Sequence, residues 1–305
     1  MIIIILMSYI LGGIDLSDFS VITSWGDGTN LGLVGCFDMP ARLGKCYHDW
    51  GDEHGVEPYV RADEIRFGGR DIVFSCLMQA TYENELLRKL YSLYDDLLNE
   101  NSLMTFQTDL GNFDVYLKDE IQAEYLDMGW AKMRFLFRQP VVPVVGSEPS
   151  PDDALYGIDG CSFQSLGLKI LDVEGRHYLP GPKGMTFTAY QTEGYQITKH
   201  SHREITIKTL LIESDLNGFQ TKINSLSKLL SKAGLRTITY QKDALRTFFV
   251  KDGFQVRQVW KTSGDINGVV TIKCIQVGST MDWNFLMDNL GNYILDSNNQ
   301  RIITT

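Results

Sequence analysis

Two long stretches of the chain, which begin at Arg70 and at Arg203, carry the same order of apolar and polar positions. Each begins with an apolar run that is typical of a strand with one or both faces buried. Each continues with apolar residues at every third or fourth position, which predicts an amphipathic helix over 82–98 in one stretch and over Leu216–Leu230 in the other. Each then ends in a second extended segment that closes on Lys-Asp. The correspondence predicts that one folding unit has been duplicated.

The apolar positions of the two predicted helices coincide over their whole length. The matched pairs are Leu86 with Phe219, Leu90 with Ile223, Leu93 with Leu226, and Leu97 with Leu230. In the first helix, Leu87, Tyr94 and Leu98 extend the same apolar stripe, so we expect the stripe to pack on an apolar surface.

Residues at the segment ends mark where these elements stop. Ser214, with Asp215 beside it, is the predicted N-cap of the second helix, and Gly234 is its predicted C-terminal stop. A shared Gly-Ile-Asp at 13–15 and 157–159 predicts a short strand at the start of each copy. The first copy is longer than the second between this tripeptide and its main strand. Its extra residues fall in 36–69, which we interpret as a long loop that carries a contact or a function.

The remaining segments of each copy favour strands, because β-branched and aromatic residues alternate or cluster in them. The predicted fold class is therefore mainly β (α+β), with two tandem antiparallel β-sandwich or barrel domains that each carry one packed helix. The first domain is expected at 1–140 and the second at 157–278. Four of the eight prolines lie in 140–151, so 141–156 is predicted to be a semi-rigid linker.

The two ends of the chain carry smaller predictions. Residues 279–305 contain short apolar segments separated by Asn-rich and Gly-rich turns, which predicts a C-terminal β-hairpin module that docks on a neighbour. The apolar run at 1–7 is too short to span a membrane and is predicted to be a first strand. Met7 is an alternative natural start.

Charge is unevenly spread along the chain. The net charge is −10, and residues 1–140 carry 11 Lys and Arg against 22 Asp and Glu, while the rest of the chain is close to neutral. A reader of nucleic acid would present a basic face to phosphates, so binding to a specific nucleic-acid sequence is not expected. The five cysteines are scattered and odd in number, which favours a reducing compartment without a disulfide framework.

One dense group of metal-ligand residue types occurs, and it consists of Cys46, His48, Asp49, Asp52 and His54. These types can coordinate zinc, but their spacing matches no zinc finger or hydrolase pattern. We therefore interpret the group as polar loop residues.

A second pair of possible ligands, His200 and His202, would share one face of a strand, but no third ligand is evident, so we expect surface histidines.

Other candidate motifs also favour structural interpretations. The glycines at 26, 28, 32 and 35 lack the strand and helix that a dinucleotide fingerprint requires, so a turn is expected. The adjacent carboxylates at 95–96 and 152–153 are expected on solvated faces. The five tryptophans are expected in the core, although they could form a sugar-binding platform; they are Trp25, Trp50, Trp130, Trp260 and Trp283. No catalytic, cofactor-binding or metal site is predicted, and the chain is not expected to be an enzyme.

The order of features in each copy resembles that of the distal tail protein (Dit-like) family of long-tailed bacteriophages. A short strand with Gly-Ile-Asp is followed by a strand that begins Arg-x-Ile, at 70–74 and 203–207. The helix comes next, and then Tyr-Leu-Lys-Asp at 116–119 or Phe-Val-Lys-Asp at 249–252. The resemblance covers most of the chain and includes no catalytic signature. It implies a β-sandwich or barrel with one helix, in a protein that forms a ring between tail tube and tip.

This chain departs from the family pattern because it carries two tube-like units. Six units complete a six-fold ring, so three chains would supply a pseudo-six-fold hub, while six chains would form a hexamer ring. The expected partners are copies of the chain itself and tail-tube and tail-tip proteins, with no membrane insertion. The expected location is the virion tail tip, after assembly in the bacterial cytoplasm. The alternatives are a carbohydrate-binding module with a β-sandwich fold and, more remotely, a cell-wall hydrolase.

Overall fold

The structure is a computed structural model. It describes residues 9–26, 28–98, 100, 102–126, 129–152, 156–189, 192–240, 246–277, 284–285 and 303–304. The apolar run at 1–7, for which a first strand is predicted, lies outside the described residues.

The first part of the chain forms one nine-stranded antiparallel sheet, a two-stranded ribbon and one helix. The elements are β1 Ile10–Leu11, β2 Ile14–Asp15, a short 3-10 helix Leu16–Phe19, β3 Val21–Thr23, β4 Leu33–Val34, β5 Tyr47–His48, β6 Glu57–Pro58, β7 Arg70–Gln79, α1 Glu83–Leu98, β8 Met104–Thr108, β9 Gly111–Leu117, β10 Gln122–Tyr125 and β11 Trp130–Gln139. The main path of this first sheet is β2-β1-β8-β9-β11-β7-β3, with β10 paired to β11 and β4 paired to β7. The ribbon consists of β5 and β6.

The second part forms a seven-stranded antiparallel sheet, a long hairpin and one helix. The elements are β12 Gly157–Ile158, β13 Cys161–Ser162, β14 Leu168–Glu174, β15 Pro182–Ala189, β16 Thr192–His200, β17 Arg203–Glu213, α2 Leu216–Leu230, β18 Arg236–Thr239, β19 Arg246–Lys261 and β20 Ile266–Val277. This second sheet has the order β13-β12-β18-β19-β20-β17-β14. β15 and β16 pair only with each other among the described strands. The predicted mainly β, antiparallel, sandwich or barrel-like fold is confirmed.

The two sheets share one strand order and one register. Reading each path from its N-terminal hairpin, each of the seven strands on the main path of the first sheet has a counterpart at the same position in the second. The central strand pairs also agree, because Arg70 stands opposite Gln139 in the first sheet and Arg203 stands opposite Gln276 in the second. Both glutamines are buried. The match of Arg70 with Arg203 that the sequence predicts therefore holds at the level of backbone pairing.

A glycine with positive φ ends the strand beside this pair in both sheets. Gly35 has φ +89 and Gly175 has φ +80, in the region that favours glycine. A Cβ at Gly35 would lie 2.2 Å from the carbonyl oxygen of Asp71, and a Cβ at Gly175 would lie 2.1 Å from that of Glu204. Asp71 and Glu204 are the second residues of β7 and β17, so the same close approach is built at the same place in both sheets.

Each helix packs on its own sheet through the predicted apolar stripe. All eight residues of the four matched pairs are buried, four in α1 and four in α2. Leu98, by contrast, is exposed, because it is the last residue of α1 and lies beyond the packed turn. The predicted N-cap is also corrected, since the side chain of Asp215, rather than that of Ser214, accepts the hydrogen bond from the backbone N–H of Gly218, at 2.7 Å. Both residue types can cap a helix, so the sequence alone does not choose between neighbours.

The shared Gly-Ile-Asp tripeptides occupy different places in their hairpins. In the first sheet the residues at 13–15 span the turn and β2, whereas in the second sheet Gly157 and Ile158 form β12. The structural counterparts of β12 are Ile10 and Leu11. The turn residues explain the shift, because both hairpins need two successive residues with positive φ, supplied by Gly12-Gly13 in one and by Asp159-Gly160 in the other.

The apolar cores of the two sheets are continuous. Phe37, in the long loop of the first part, packs edge-on against Phe219 of α2, with ring centroids 5.2 Å apart. The side-chain amide of Gln220 donates a hydrogen bond of 2.6 Å to the backbone oxygen of Leu110, in the turn between β8 and β9. The helix of the second part therefore lies against the first part as well as against its own sheet.

The proline-rich segment has no strand or helix over 140–152 in the described residues. It runs beside α2, where Gly146 approaches Asn224 and Glu148 forms an ion pair with Lys232. Most of the predicted C-terminal module at 279–305 lies outside the described residues, and the parts that are described, Asn284–Phe285 and Ile303–Thr304, pair antiparallel.

Candidate functional site

The long loop of the first part is anchored to the second sheet. Cys46 and Val56 form a small buried apolar cluster with Phe249 of β19 and Ile275 of β20. Tyr47 packs against the same cluster, with its ring centroid 5.9 Å from that of Phe249. The predicted long loop at 36–69 thus contains the β5–β6 ribbon, and that ribbon is held against a sheet that lies far away in the sequence.

Lys183, in β15, holds the tip of this ribbon. Its ammonium group donates hydrogen bonds to the backbone oxygens of Trp50, Glu53 and Gly55, at 2.7, 2.9 and 2.7 Å, and forms an ion pair with Asp49. The Lys183 side chain is mostly buried, so a charged group is held among several acceptors rather than left alone. These contacts of Lys183 with Asp49, Trp50, Glu53 and Gly55, called the Lys183 cradle, fix the ribbon tip to the base of the β15–β16 hairpin.

Four of the five histidines meet near this cradle. The His54 and His200 rings are stacked with centroids 5.8 Å apart, and the backbone N–H of His200 donates to Nδ1 of His54, at 3.2 Å. His202 lies 3.5 Å from a carboxylate oxygen of Glu204, and His48 packs against Trp50.

These contacts do not assemble the metal-ligand types into a site. Cys46 is buried in the apolar cluster, while the Asp49 carboxylate is engaged by Lys183. Among the residues that the structure describes, no group of three or more His, Cys, Asp or Glu side chains is placed to hold a metal ion. The arrangement instead positions the loop and the hairpin relative to each other.

The hairpin of β15 and β16, called the arm below, presents aromatic residues to solvent. Tyr195 is 73% exposed and Phe187 is 57% exposed. The Phe187 ring lies over Gly194 of the opposite strand, where a Cβ would meet it at 2.5 Å. A two-stranded hairpin that carries apolar residues on its surface, and has no third strand beside it among the described strands, is marginal by itself in water. The arm is therefore suited to pair with another surface.

Two tryptophans from different parts of the chain form an exposed corner. The rings of Trp25 and Trp260 lie 6.1 Å apart at 74°, and the two residues are 75% and 40% exposed. The expectation of buried tryptophans is therefore wrong for this pair. Trp50 is also exposed, Trp130 is half-buried, and Trp283 lies outside the described residues.

The other sequence candidates have structural places. In the glycine-rich run at 26–35, Gly26 forms an antiparallel bridge with Thr29, and Leu33–Val34 form β4. Asp95 and Asp96 are exposed on α1, as expected, and Asp153 lies outside the described residues. Asp152 accepts hydrogen bonds from the side chain and the backbone N–H of Ser162, and these bonds lower the pKa of its carboxyl group.

All five cysteines are buried and unpaired. Burial raises the pKa of the Cys36 thiol to about 12, and burial also raises the pKa of the Cys76 and Cys274 thiols. A reactive cysteine needs a lowered pKa and access to solvent, and these three have neither.

Comparison with known proteins gives weak structural similarity alone. No protein-family profile matches the chain, and no curated protein matches its sequence. The chain is similar to the Dit protein (gp 19.1) of phage SPP1, whose crystal structure is described as a paradigm of the hub adsorption apparatus in phages that infect Gram-positive bacteria. The similarity covers 88% of this chain and 98% of that one, at 11% identity and a TM-score of 0.35. That TM-score is too low to support a shared fold or function.

Neither helix in the described part of the chain has the length and apolar character needed to cross a membrane.

Proposed function

We propose that the chain is a structural component of a phage or prophage tail tip, where it forms a ring or a pseudo-six-fold hub that joins the tail tube to the tip. It performs no reaction in this proposal. The observation that carries the proposal is the repeated sheet, with the same strand order, the same central register and the same glycine at one strand end. When each chain carries two equivalent units, a ring with six equivalent positions can be built from only three chains.

The proposed division of the chain follows from this repeat. Residues 1–140 and 157–278 are the two units, 141–156 link them, and 279–305 form a small C-terminal module. Because the two units share a continuous core, the division describes their topology and not two separate cores. Three chains would supply six units, and six chains would form a hexamer ring. The neighbours would be tail-tube and tail-tip proteins at the virion tail tip, after assembly in the bacterial cytoplasm.

The arm supplies the contact surface in this proposal. Neither of its strands pairs with a third strand among those that the structure describes, and its aromatic residues are exposed, which suits strand addition or docking on the next copy. The Lys183 cradle and the His54–His200 contact hold the base of the arm against the first part of the same chain. The arm would therefore project at a fixed angle, as a closed ring requires of every subunit.

The oligomeric state of the full chain tests the proposal. Native mass spectrometry at micromolar concentration is expected to give a trimer or a hexamer. The Tyr195→Asp variant should shift the population to monomers, because it places a charge on the arm surface. Tyr82→Asp, at an equally exposed tyrosine of the first part, is the matched control and should leave the oligomer intact. A wild-type chain that remains monomeric throughout the micromolar range would contradict the proposal.

A further inference from the structure

The corner formed by Trp25 and Trp260 leaves two large apolar side chains exposed to solvent. An indole ring is among the most favourable side chains to bury, and burial of a full aromatic side chain is worth about 1.5–3 kcal/mol. Trp25 leaves three quarters of its surface in solvent, and its ring meets that of Trp260 edge-on. An aromatic pair left open in this way is typical of a ligand site.

Hydrogen bonds between side chains of one segment and the backbone of the other fix the positions of both rings. The side chain of Asn30 donates to the backbone oxygen of Lys261, at 2.7 Å, and accepts from its backbone N–H, at 2.9 Å. The Thr29 hydroxyl donates to the backbone oxygen of Val259, at 2.7 Å. These three bonds join the loop after Trp25 to the strand that carries Trp260. The corner is therefore preorganised, which reduces the entropy lost on binding.

Polar groups continue the corner across the second sheet. Trp260 of β19 stands directly opposite Asn267 of β20, which stands opposite Ile212 of β17. Side chains of directly opposed residues share a face of a sheet, and all three of these are partly or largely exposed. The Asn267 amide makes no side-chain hydrogen bond to any residue in the described part of the chain. It can donate and accept at the edge of the indole surface.

The charged side chain next to Trp260 is paired. The ammonium group of Lys261 lies 3.8 Å from a carboxylate oxygen of Asp109. In its described residues the site thus combines aromatic faces with an amide, a composition that matches a ligand with apolar C–H faces and many hydroxyl groups. The two rings meet edge-on, with centroids 6.1 Å apart, so a ligand would stack on an exposed indole face and touch the second ring beside it.

We propose that Trp25, Trp260 and Asn267 form a binding site for neutral carbohydrate. A pyranose stacks on the open face of Trp25 and packs against Trp260, while the Asn267 amide bonds to its hydroxyl groups. This site is independent of the arm and of the oligomeric state, and it adds a recognition function to a structural chain.

A binding experiment on the full chain tests this site. The probes are an array of neutral oligosaccharides built from hexoses and N-acetylhexosamines, followed by titration of tryptophan fluorescence with the sugar that binds best. The wild-type chain is expected to bind at least one of them with a change in indole fluorescence. Trp25→Ala should weaken binding by about tenfold or more, and Asn267→Ala should weaken it measurably. Tyr82→Ala, at another exposed aromatic residue, is the matched control and should bind as the wild type does.

Three results would overturn the proposal. The first is that the wild-type chain binds none of the neutral sugars. The second is that Trp25→Ala binds as the wild-type chain does. The third is that Trp25→Ala changes the oligomeric state, which would assign the corner to contacts between copies. Trp25 is so exposed that its replacement leaves the fold intact, and an unchanged melting temperature checks this.

Discussion

The carboxylate of Asp38 meets the guanidinium group of Arg257 across the junction of the two parts, with Oδ2 2.7 Å from Nη1. Asp38 also accepts a hydrogen bond of 2.8 Å from the backbone N–H of Val256, and its own backbone oxygen accepts from Arg70. Arg70 begins the central strand of the first sheet and Arg257 lies in β19 of the second. One largely buried carboxylate thus connects the two sheets.

The buried position of Asp38 predicts an unusual pH dependence of stability. Burial raises the pKa of this carboxyl group above its ordinary value of 3.8, against the opposing effect of the bonds from Val256 and Arg257. The folded chain then binds a proton at Asp38 more readily than the unfolded chain does. The stability due to this group therefore falls as the pH rises from near 3.8 through the raised pKa. In Asp38→Asn this dependence is absent.

We therefore expect wild-type stability to improve relative to that of Asp38→Asn when the pH is lowered from about 7 to about 4.5. Urea unfolding of both proteins at the two pH values measures the difference. Asp38→Ala is a second comparison. It leaves the Val256 N–H unpaired and should cost about 1–3 kcal/mol at both pH values. A wild-type chain that loses stability relative to Asp38→Asn on acidification would show that the predicted sign is wrong.

Phe219 should be among the most costly residues to truncate. It is fully buried and contacts both its own sheet and Phe37 of the first part. Phe219→Ala is expected to lower the free energy of unfolding by about 3–5 kcal/mol, while Leu98→Ala, at an exposed helix residue, should change it little. A double-mutant cycle with Phe37→Leu should give a coupling of about 0.5–1.5 kcal/mol. Additive effects would mean that the two rings do not stabilise the junction.

Loss of the Lys183 ammonium should loosen the ribbon tip before the rest of the fold. Lys183→Met keeps the aliphatic stem but leaves the backbone oxygens of Trp50, Glu53 and Gly55 without their donor. We expect a destabilisation of about 1–3 kcal/mol. We also expect faster amide hydrogen exchange over 49–55, with little change in the central strands. Lys208→Met, which removes an exposed ion pair with Glu174, is the matched control and should leave exchange in 49–55 unchanged. Equal exchange in wild type and Lys183→Met would exclude the cradle as an anchor.

The glycines at the two equivalent strand ends should tolerate no side chain. A Cβ at Gly35 or Gly175 would overlap a backbone oxygen of β7 or β17, in addition to the strain of positive φ. Each alanine variant is expected to cost about 2–4 kcal/mol. Gly13 is a close control, because its φ is also +89 but no atom lies within 4 Å of the added Cβ. Gly13→Ala should therefore cost only about 1–2 kcal/mol. If all three variants cost the same, backbone strain alone would explain them.

The parts of this fold that could be predicted are those that bury a regular pattern. The helices and the long strands bury residues at fixed periods, so the stripe from Leu86 to Leu97 and the match of Arg70 with Arg203 could be predicted before any coordinates. The arm is harder to predict, because Thr186, Phe187 and Tyr195 are all exposed and their positions follow no buried period. What indicates the arm in the sequence is the presence of β-branched and aromatic residues at 185–188 and 195–198, shortly before β17.

Contacts between distant residues account for the rest. Lys183 bonds to backbone oxygens about 130 positions away, and no local pattern predicts which lysine fills such a cradle. The tryptophan corner joins a loop of the first part to a strand of the second, so its two members look like ordinary core residues when considered singly. The two turn residues with positive φ lie at different positions relative to the Gly-Ile-Asp tripeptide in the two N-terminal hairpins. Aligning the copies on that tripeptide therefore does not align their first strands.

Electron cryomicroscopy of the purified full chain tests the central claim most directly. Class averages are expected to show closed rings with a central opening, built from three or six copies and with six similar lobes around the axis. A homogeneous population of single, isolated chains, or of open assemblies without a closed ring, would contradict the claim.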